Sequence, residues 1–263
     1  MALRFPVYQL NAFSSVAFGG NPAAICLVED WPEDDLMASI AREQGIPTTA
    51  FVRMASEPFE VRYFAPIGEF AFVGHASLAI AQVLLGTLFP DRPSMELRRR
   101  AGTLHIGRGS SGCMTITLPS VPPVPCRMEK QLSAAIGVPV AETWSSSGHY
   151  FALCEDEQMV LSLQPDMTAL MHLDRDAVVA TARGEDCQFV SRAFAPKEGL
   201  DEDPVCGSAH LTLVPYWSER LGRRNHRALQ LSKRGGELFC SLDGEAVELA
   251  GRCALYLEGT ISV

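Results

Sequence analysis

Apolar positions follow two patterns along this chain. Short runs rich in β-branched and aromatic residues, bounded by Gly, Pro, Asn or Asp, predict strands. In the first half these are FPVYQLNAF (5–13), AAICLV (23–28), TTAFVRM (48–54) and FEVRYFAP (59–66), with a turn expected at Gly20-Asn21-Pro22. TLHIGRGSSGCMTITLP (103–119) reads as a β-hairpin. In the second half the expected strands are YFALCED (150–156), QMVLSL (158–163), CQFVSRAFA (187–195) and the terminal runs through TISV. WPEDDLMASIAREQG (31–45) carries helix signals at both ends: Pro32 and acids at the start, then Arg42 and a stop at Gly45. DMTALMHL (166–173) and RDAVVATA (175–182) read as two short helices.

The second pattern occurs twice, in helices expected to start near Gly74 and near Gly207. Both are apolar almost all the way round. Such a helix has to be enclosed, and a sheet curled around it is the simplest enclosure. The fold class is therefore α+β, with two similar domains, each a barrel-like antiparallel sheet wrapped around a central apolar helix. LPSVPPVPC (118–126) separates them, because proline fixes φ and removes backbone donors. The expected domains are 1–118 and 119–263, with the last strand free to cross into the first.

Composition narrows the function without identifying it. A net charge of −9 disfavours nucleic acid and anionic membranes as partners. The eight cysteines have wide, irregular spacings with no metal-binding pattern, and several lie inside apolar strands. They read as thiols in a reducing cytoplasm. The N-terminus lacks a signal-peptide pattern, and no apolar run is long enough to span a membrane. A cytoplasmic protein is expected.

GRGSSG (107–112) matches the G-x-G-x-x-G dinucleotide pattern, but CMTITLP follows it where a helix is required, so it is read as hairpin. The starts of the two apolar helices carry more information. Gly74-His75-Ala76-Ser77-Leu78 and Gly207-Ser208-Ala209-His210-Leu211 hold the same five residue types with His and Ser exchanged. A helix N-terminus presents unpaired N–H groups and a partial positive charge. Small residues such as Gly74, Ala76 and Gly207 let a ligand approach those donors. Two such ends across one cleft would hold a small carboxylate and stabilise charge developing when an adjacent proton is removed.

Four blocks resemble the PhzF-like proteins, named for an isomerase of phenazine biosynthesis and related in fold to diaminopimelate epimerase and proline racemase. They are NAFSSVAFGGNPAAICL (11–27), RYFAPIGEFAFVGHASLA (62–79), FVSRAFAPKEGLDEDPVCGSAHLTLVPYW (189–217) and QLSKRGGEL (230–238). The resemblance covers essentially the whole chain. It implies an active site between two barrel-and-helix domains, no cofactor, and a homodimer; no metal is expected from the Cys and His spacing. It places substrate-orienting and proton-assisting roles on His75, Asp203 and Ser208; Asn21, in the Gly-Asn-Pro loop, either shapes the turn or contacts the ligand.

Two positions depart from the family pattern. The family's acid/base Glu, aligned through IAREQGIPTTAFV, falls on Thr48, and a hydroxyl cannot replace a carboxylate as base. Cys206 stands where most relatives have Thr, and the related epimerases place a catalytic Cys at that helix start. A thiol there is expected to have a lowered pKa and to offer a thiolate base. Its partner in those enzymes would fall on Val73, which carries no proton. The implied activity is a proton-transfer isomerase or epimerase of a small carboxylate, with Asp203, His75 and Cys206 catalytic. Ser208, Gly74, Gly207, Ala76, Asn21 and Thr48 would line the binding site. The alternative is a catalytically degenerate carboxylate-binding protein of the same fold.

Overall fold

A computed structural model describes residues 2–146 and 148–263. The chain forms two compact units, one from residues 1–118 with 250–263 and the other from 119–249.

The first unit contains β1 (Arg4–Ala12), β2 (Asn21–Val28), α1 (Asp34–Gln44), β3 (Thr48–Arg53), β4 (Phe59–Ala65), β5 (Gly68–Phe70), α2 (Gly74–Ala81), β6 (Ser94–Arg99), β7 (Gly102–Arg108) and β8 (Met114–Pro119). Helix α2 runs on as a π-helical stretch, Gln82–Leu88. The second unit contains β9 (Val124–Pro125), α3 (Glu129–Ile136), β10 (Glu142–Ser146), β11 (His149–Leu153), α4 (Glu157–Leu161), α5 (Met167–Met171), β12 (Ala177–Arg183), β13 (Phe189–Ala195), β14 (Leu200–Asp203), α6 (Gly207–Leu221), β15 (Asn225–Gln230) and β16 (Gly236–Asp243). β17 (Ala246–Gly251) follows, and β18 (Cys253–Ser262) returns to the first unit to pair antiparallel with β1.

The two units use one pairing plan. In the first, β2 and β3 are parallel, β3 and β4 antiparallel, β4 and β5 antiparallel, β4 and β6 parallel, and β6 and β7 antiparallel. The second repeats each relation with β11 to β12, β12 to β13, β13 to β14, β13 to β15 and β15 to β16. The parallel pairs correct the expectation of purely antiparallel sheets. Parallel neighbours need a crossover, and α1, α2, α4 with α5, and α6 provide it.

Each sheet has a helix on both faces. On the outer face of the first sheet, Met37, Ile40 and Ala41 of α1 pack with Phe5, Val7, Cys26 and Phe51. On the inner face lies α2, all eight of its residues buried against β1, β2, β3 and β7. A Cβ at Gly251 would collide with the Phe13 ring and meet Leu78 Cδ2 at 3.1 Å, so only glycine lets α2 approach that strand. In the second unit, Leu132, Ile136, Val160 and Leu170 cover the outer face through Val178, Ala180 and Phe194. Helix α6 is buried along one long stripe that includes His210, Leu213, Val214 and Trp217.

Pro215 lies inside α6 and cannot donate to the Leu211 carbonyl one turn back. Val121, from the proline-rich segment, donates its N–H to that oxygen at 2.9 Å. The segment therefore supplies a hydrogen bond that the helix has lost.

Three local expectations change. RDAVVATA, read as a helix, is strand β12. Val178, Ala180 and Ala182 join the outer core while Thr181 accepts a hydrogen bond from Trp217 of α6, a period of two. QMVLSL, read as a strand, lies mostly in α4, because the Asp156 carboxylate accepts the Met159 N–H at 2.7 Å and caps a helix. The turn expected at Gly20-Asn21-Pro22 closes at Gly20, and β2 begins at Asn21. Gly20 has φ of 63°, and a Cβ there would strike the Ala12 carbonyl oxygen.

Candidate functional site

In the first unit the sequence-derived candidates converge around the start of α2. β2 and β3 are parallel with Ala23 opposite Thr48, the first residue of β3, so Asn21 and Pro22 lie just ahead of that pairing. The His75 ring is hydrogen-bonded to the Pro22 backbone. Proline has no N–H, so the ring donates and the Pro22 carbonyl accepts. Nε2 of His75 is buried and has no hydrogen-bond partner among the described residues. That fixes a tautomer in which Nε2 is an acceptor. Burial pulls the His75 pKa down to about 3, opposed by the bond to Pro22, so the ring is neutral at pH 7. Gly74 and Ala76 are fully enclosed in the first turn. Ser77 is anchored, its Oγ 2.7 Å from the Tyr63 hydroxyl and donating to the Val73 carbonyl at 2.8 Å. Thr48 is only 3% exposed.

In the second unit, Asp203 ends β14 and Cys206 is the N-cap of α6, with φ of −85° and ψ of 92°. Asp203 Oδ1 accepts the Val205 N–H at 3.0 Å, an Asx turn that bends the chain into the helix. Ser208 is partly exposed in the first turn, its Oγ 3.4 Å from Cys206 Sγ. The backbone around Asp203 is held from β15. Gln230 Oε1 accepts the Cys206 N–H at 2.9 Å, and Gln230 Nε2 donates to the Asp203 carbonyl at 2.6 Å. Ser232 Oγ donates to the Pro204 carbonyl at 2.7 Å and accepts the Gly235 N–H at 3.1 Å. Gln230 and Ser232 had no role in the sequence reading, although QLSKRGGEL was recognised as a block. Their spacing of two residues toward the end of a strand is the only signal they gave.

The structure corrects the expectation for Cys206. The thiol is 6% exposed, and burial raises its pKa well above 9, with the Asp203 charge adding to the effect. The helix N-terminus does not overcome that desolvation, and the group is a protonated thiol at neutral pH. All eight cysteines are free. His210, one turn into α6, has its pKa lowered to about 4 by burial and donates through Nδ1 to the Cys206 carbonyl at 2.8 Å. Among the described residues no group of three His, Cys, Asp or Glu side chains is placed to hold a metal ion, and no helix is long and apolar enough to cross a membrane.

Each unit thus presents one helix start lined with small residues and polar side chains. The first offers a neutral imidazole acceptor; the second offers a carboxylate and a hydroxyl on a clamped turn.

Comparison with known proteins gives a consistent result. The model of the family described as phenazine biosynthesis-like protein matches residues 10–259. An uncharacterised isomerase of Pseudomonas aeruginosa is 40% identical over 261 residues, covering 99% of both chains. The crystal structure of a phenazine biosynthesis protein of the PhzF family from Enterococcus faecalis superposes with a TM-score of 0.95 at 33% identity, covering 99% of this chain and 100% of that one. A hydroxyproline epimerase from Agrobacterium vitis, solved with bound trans-4-hydroxy-L-proline, shares the fold, with a TM-score of 0.64 at 13% identity and coverage of 99% and 93%.

Proposed function

We propose, from the premise that the chain belongs to the phenazine biosynthesis-like family, that it is a cofactor-independent isomerase moving a proton next to the carboxylate of a small substrate. The observation that carries this reading is the clamped turn before α6. It holds a carboxylate, Asp203, five residues ahead of the hydroxyl of Ser208 at a helix start. The amides of Gly207 and Ser208 with the Ser208 hydroxyl suit a substrate carboxylate. Asp203 is the carboxylate that the clamped turn places to act as acid/base. In the first unit, His75 Nε2, a neutral acceptor, would suit an N–H or O–H of a small ligand, with Gly74 and Ala76 giving close approach. Asn21 and Thr48 would complete the wall beside it.

The test is solvent deuterium incorporation at the α-carbon of a panel of small amino and hydroxy acids. Wild-type protein should exchange at least one of them, and Asp203→Asn should slow that exchange by roughly 10²–10⁴-fold, the usual contribution of a positioned acid/base. Absence of exchange across the panel overturns the catalytic reading.

A second reading has specific support. With Thr48 at the family's Glu position and Cys206 held as a thiol, the chain would be a carboxylate-binding protein without chemistry. Calorimetry showing binding of a panel acid that undergoes no exchange would select this reading. In that case Thr48→Glu should confer exchange.

A further inference from the structure

The shared pairing plan makes equivalent positions in the two units readable from strand register. Tyr63 lies opposite Phe70 and Ala193 opposite Asp203, and Phe70 and Asp203 each stand four residues before the glycine that opens α2 or α6. Two residues earlier on the same strands, Val61 is aligned with Arg99 and Ser191 with Gln230, the last residues of β6 and β15. Arg99 therefore occupies in the first unit the place that Gln230 occupies in the second. Gln230 commits both ends of its amide to the turn before α6. Arg99 has only N–H donors and no acceptor, so it cannot repeat that clamp.

The arginine lies on the inner face of its sheet. Side chains alternate along β4: Phe64 joins the outer core with α1, while Tyr63 reaches Ser77 of α2. Arg98, aligned with Glu60, donates to that carboxylate. Arg99 is turned the other way and half-buried, its guanidinium carbon 4.9 Å from the centroid of the Phe72 ring. Phe72 packs edge-on to Tyr63 and immediately precedes Val73, the N-cap of α2. Burial pushes the Tyr63 hydroxyl up to about 12, opposed by its bond to Ser77 and by the charge of Arg99. Arg99 Nε is buried without a hydrogen-bond partner, and the side chain forms no ion pair, among the described residues.

A half-buried cation without a counter-charge, close to a helix end that is itself positive, is unfavourable until an anion completes the arrangement. We infer that Arg99 is an anion-binding residue of the first unit, its guanidinium fork taking the carboxylate of a small ligand. A planar carboxylate accepts two parallel N–H bonds from that fork. The Phe72 and Tyr63 rings favour it over phosphate, whose higher charge costs more to bring against apolar surface. This goes beyond the proposed function, which draws no anionic contact from the first unit.

The Nε–H resonance of Arg99 in the isotope-labelled full chain, identified by its loss in Arg99→Gln, reports on this directly. Succinate up to about 50 mM at fixed ionic strength, enough to fill a millimolar site, should shift it, and sodium chloride should not. By calorimetry Arg99→Gln should bind succinate about tenfold more weakly or worse. Its thermal midpoint should match wild type, because glutamine is what the second unit carries at this place. Arg99→Lys keeps the charge over Phe72 but lacks the fork, and should also bind more weakly than wild type. An arginine that serves only to pack on Phe72 would behave in the opposite way, with Arg99→Gln lowering the midpoint and leaving succinate binding intact. That result, a resonance indifferent to succinate, or a response to inorganic phosphate as strong as that to succinate overturns the inference. A wild type that exchanges panel acids while its Arg99 resonance ignores succinate would keep the proposed function and remove this inference alone.

Discussion

Gln230 shows how a residue without reactivity can set a site. Its amide satisfies the Cys206 N–H and the Asp203 carbonyl together, at 1% exposure. Gln230→Ala leaves two buried backbone groups unpaired, so we expect a loss of about 2–4 kcal/mol in urea denaturation, along with weaker panel-acid binding. Gln230→Glu keeps the acceptor for Cys206 but opposes the Asp203 carbonyl, and should rank between wild type and Ala. The histidines give a second prediction. Folded His75 and His210 have pKa values of about 3 and about 4, against about 6.5 when unfolded. Between those limits the unfolded chain binds more protons, so their contribution is complete above about pH 6.5 and is lost as pH falls toward 4. Urea midpoints should drop on going from pH 7 to pH 5, and His210→Gln should flatten that slope. The family blocks that carry His75, Asp203 and Ser208 were legible because each is short and contiguous. The acidity of Cys206 was not, because it depends on how completely distant segments exclude water.

Elements were legible where both ends and the period agreed. For α1, Asp34 and Asp35 in the first turn, Arg42 in the last and Gly45 in the left-handed conformation each appeared in sequence. RDAVVATA failed because a two-residue period over so short a run is decided by the neighbouring strands β11 and β13, not by local preference. The bond from Val121 to Leu211 is likewise non-local. Val121→Pro would remove the donor and orphan a helix carbonyl, costing about 1–3 kcal/mol by thermal or urea unfolding. Pro215→Ala, which restores the helix's own donor, should be neutral or stabilising.

At the scale of the whole molecule, the first unit is discontinuous, and β18 pairs with β1 along its full length. A fragment of residues 1–118 lacks that partner, which leaves β1 as a bare edge, and should stay unfolded by circular dichroism. Leu3 and Val263 hydrogen-bond to each other through N–H and carbonyl. A permuted fragment running from 250–263 through a short turn into 2–118 should therefore fold, as a hairpin joins those ends naturally. By itself the sequence determined the α+β class, the two enclosed helices and the family blocks, because apolar periodicity and contiguous motifs are local and survive without coordinates. Only tertiary structure decided the parallel pairings, the strand identity of β12, the Gln230 clamp and the protonated state of Cys206. Each of these depends on segments far apart in sequence meeting where water is excluded, and no local pattern encodes that meeting.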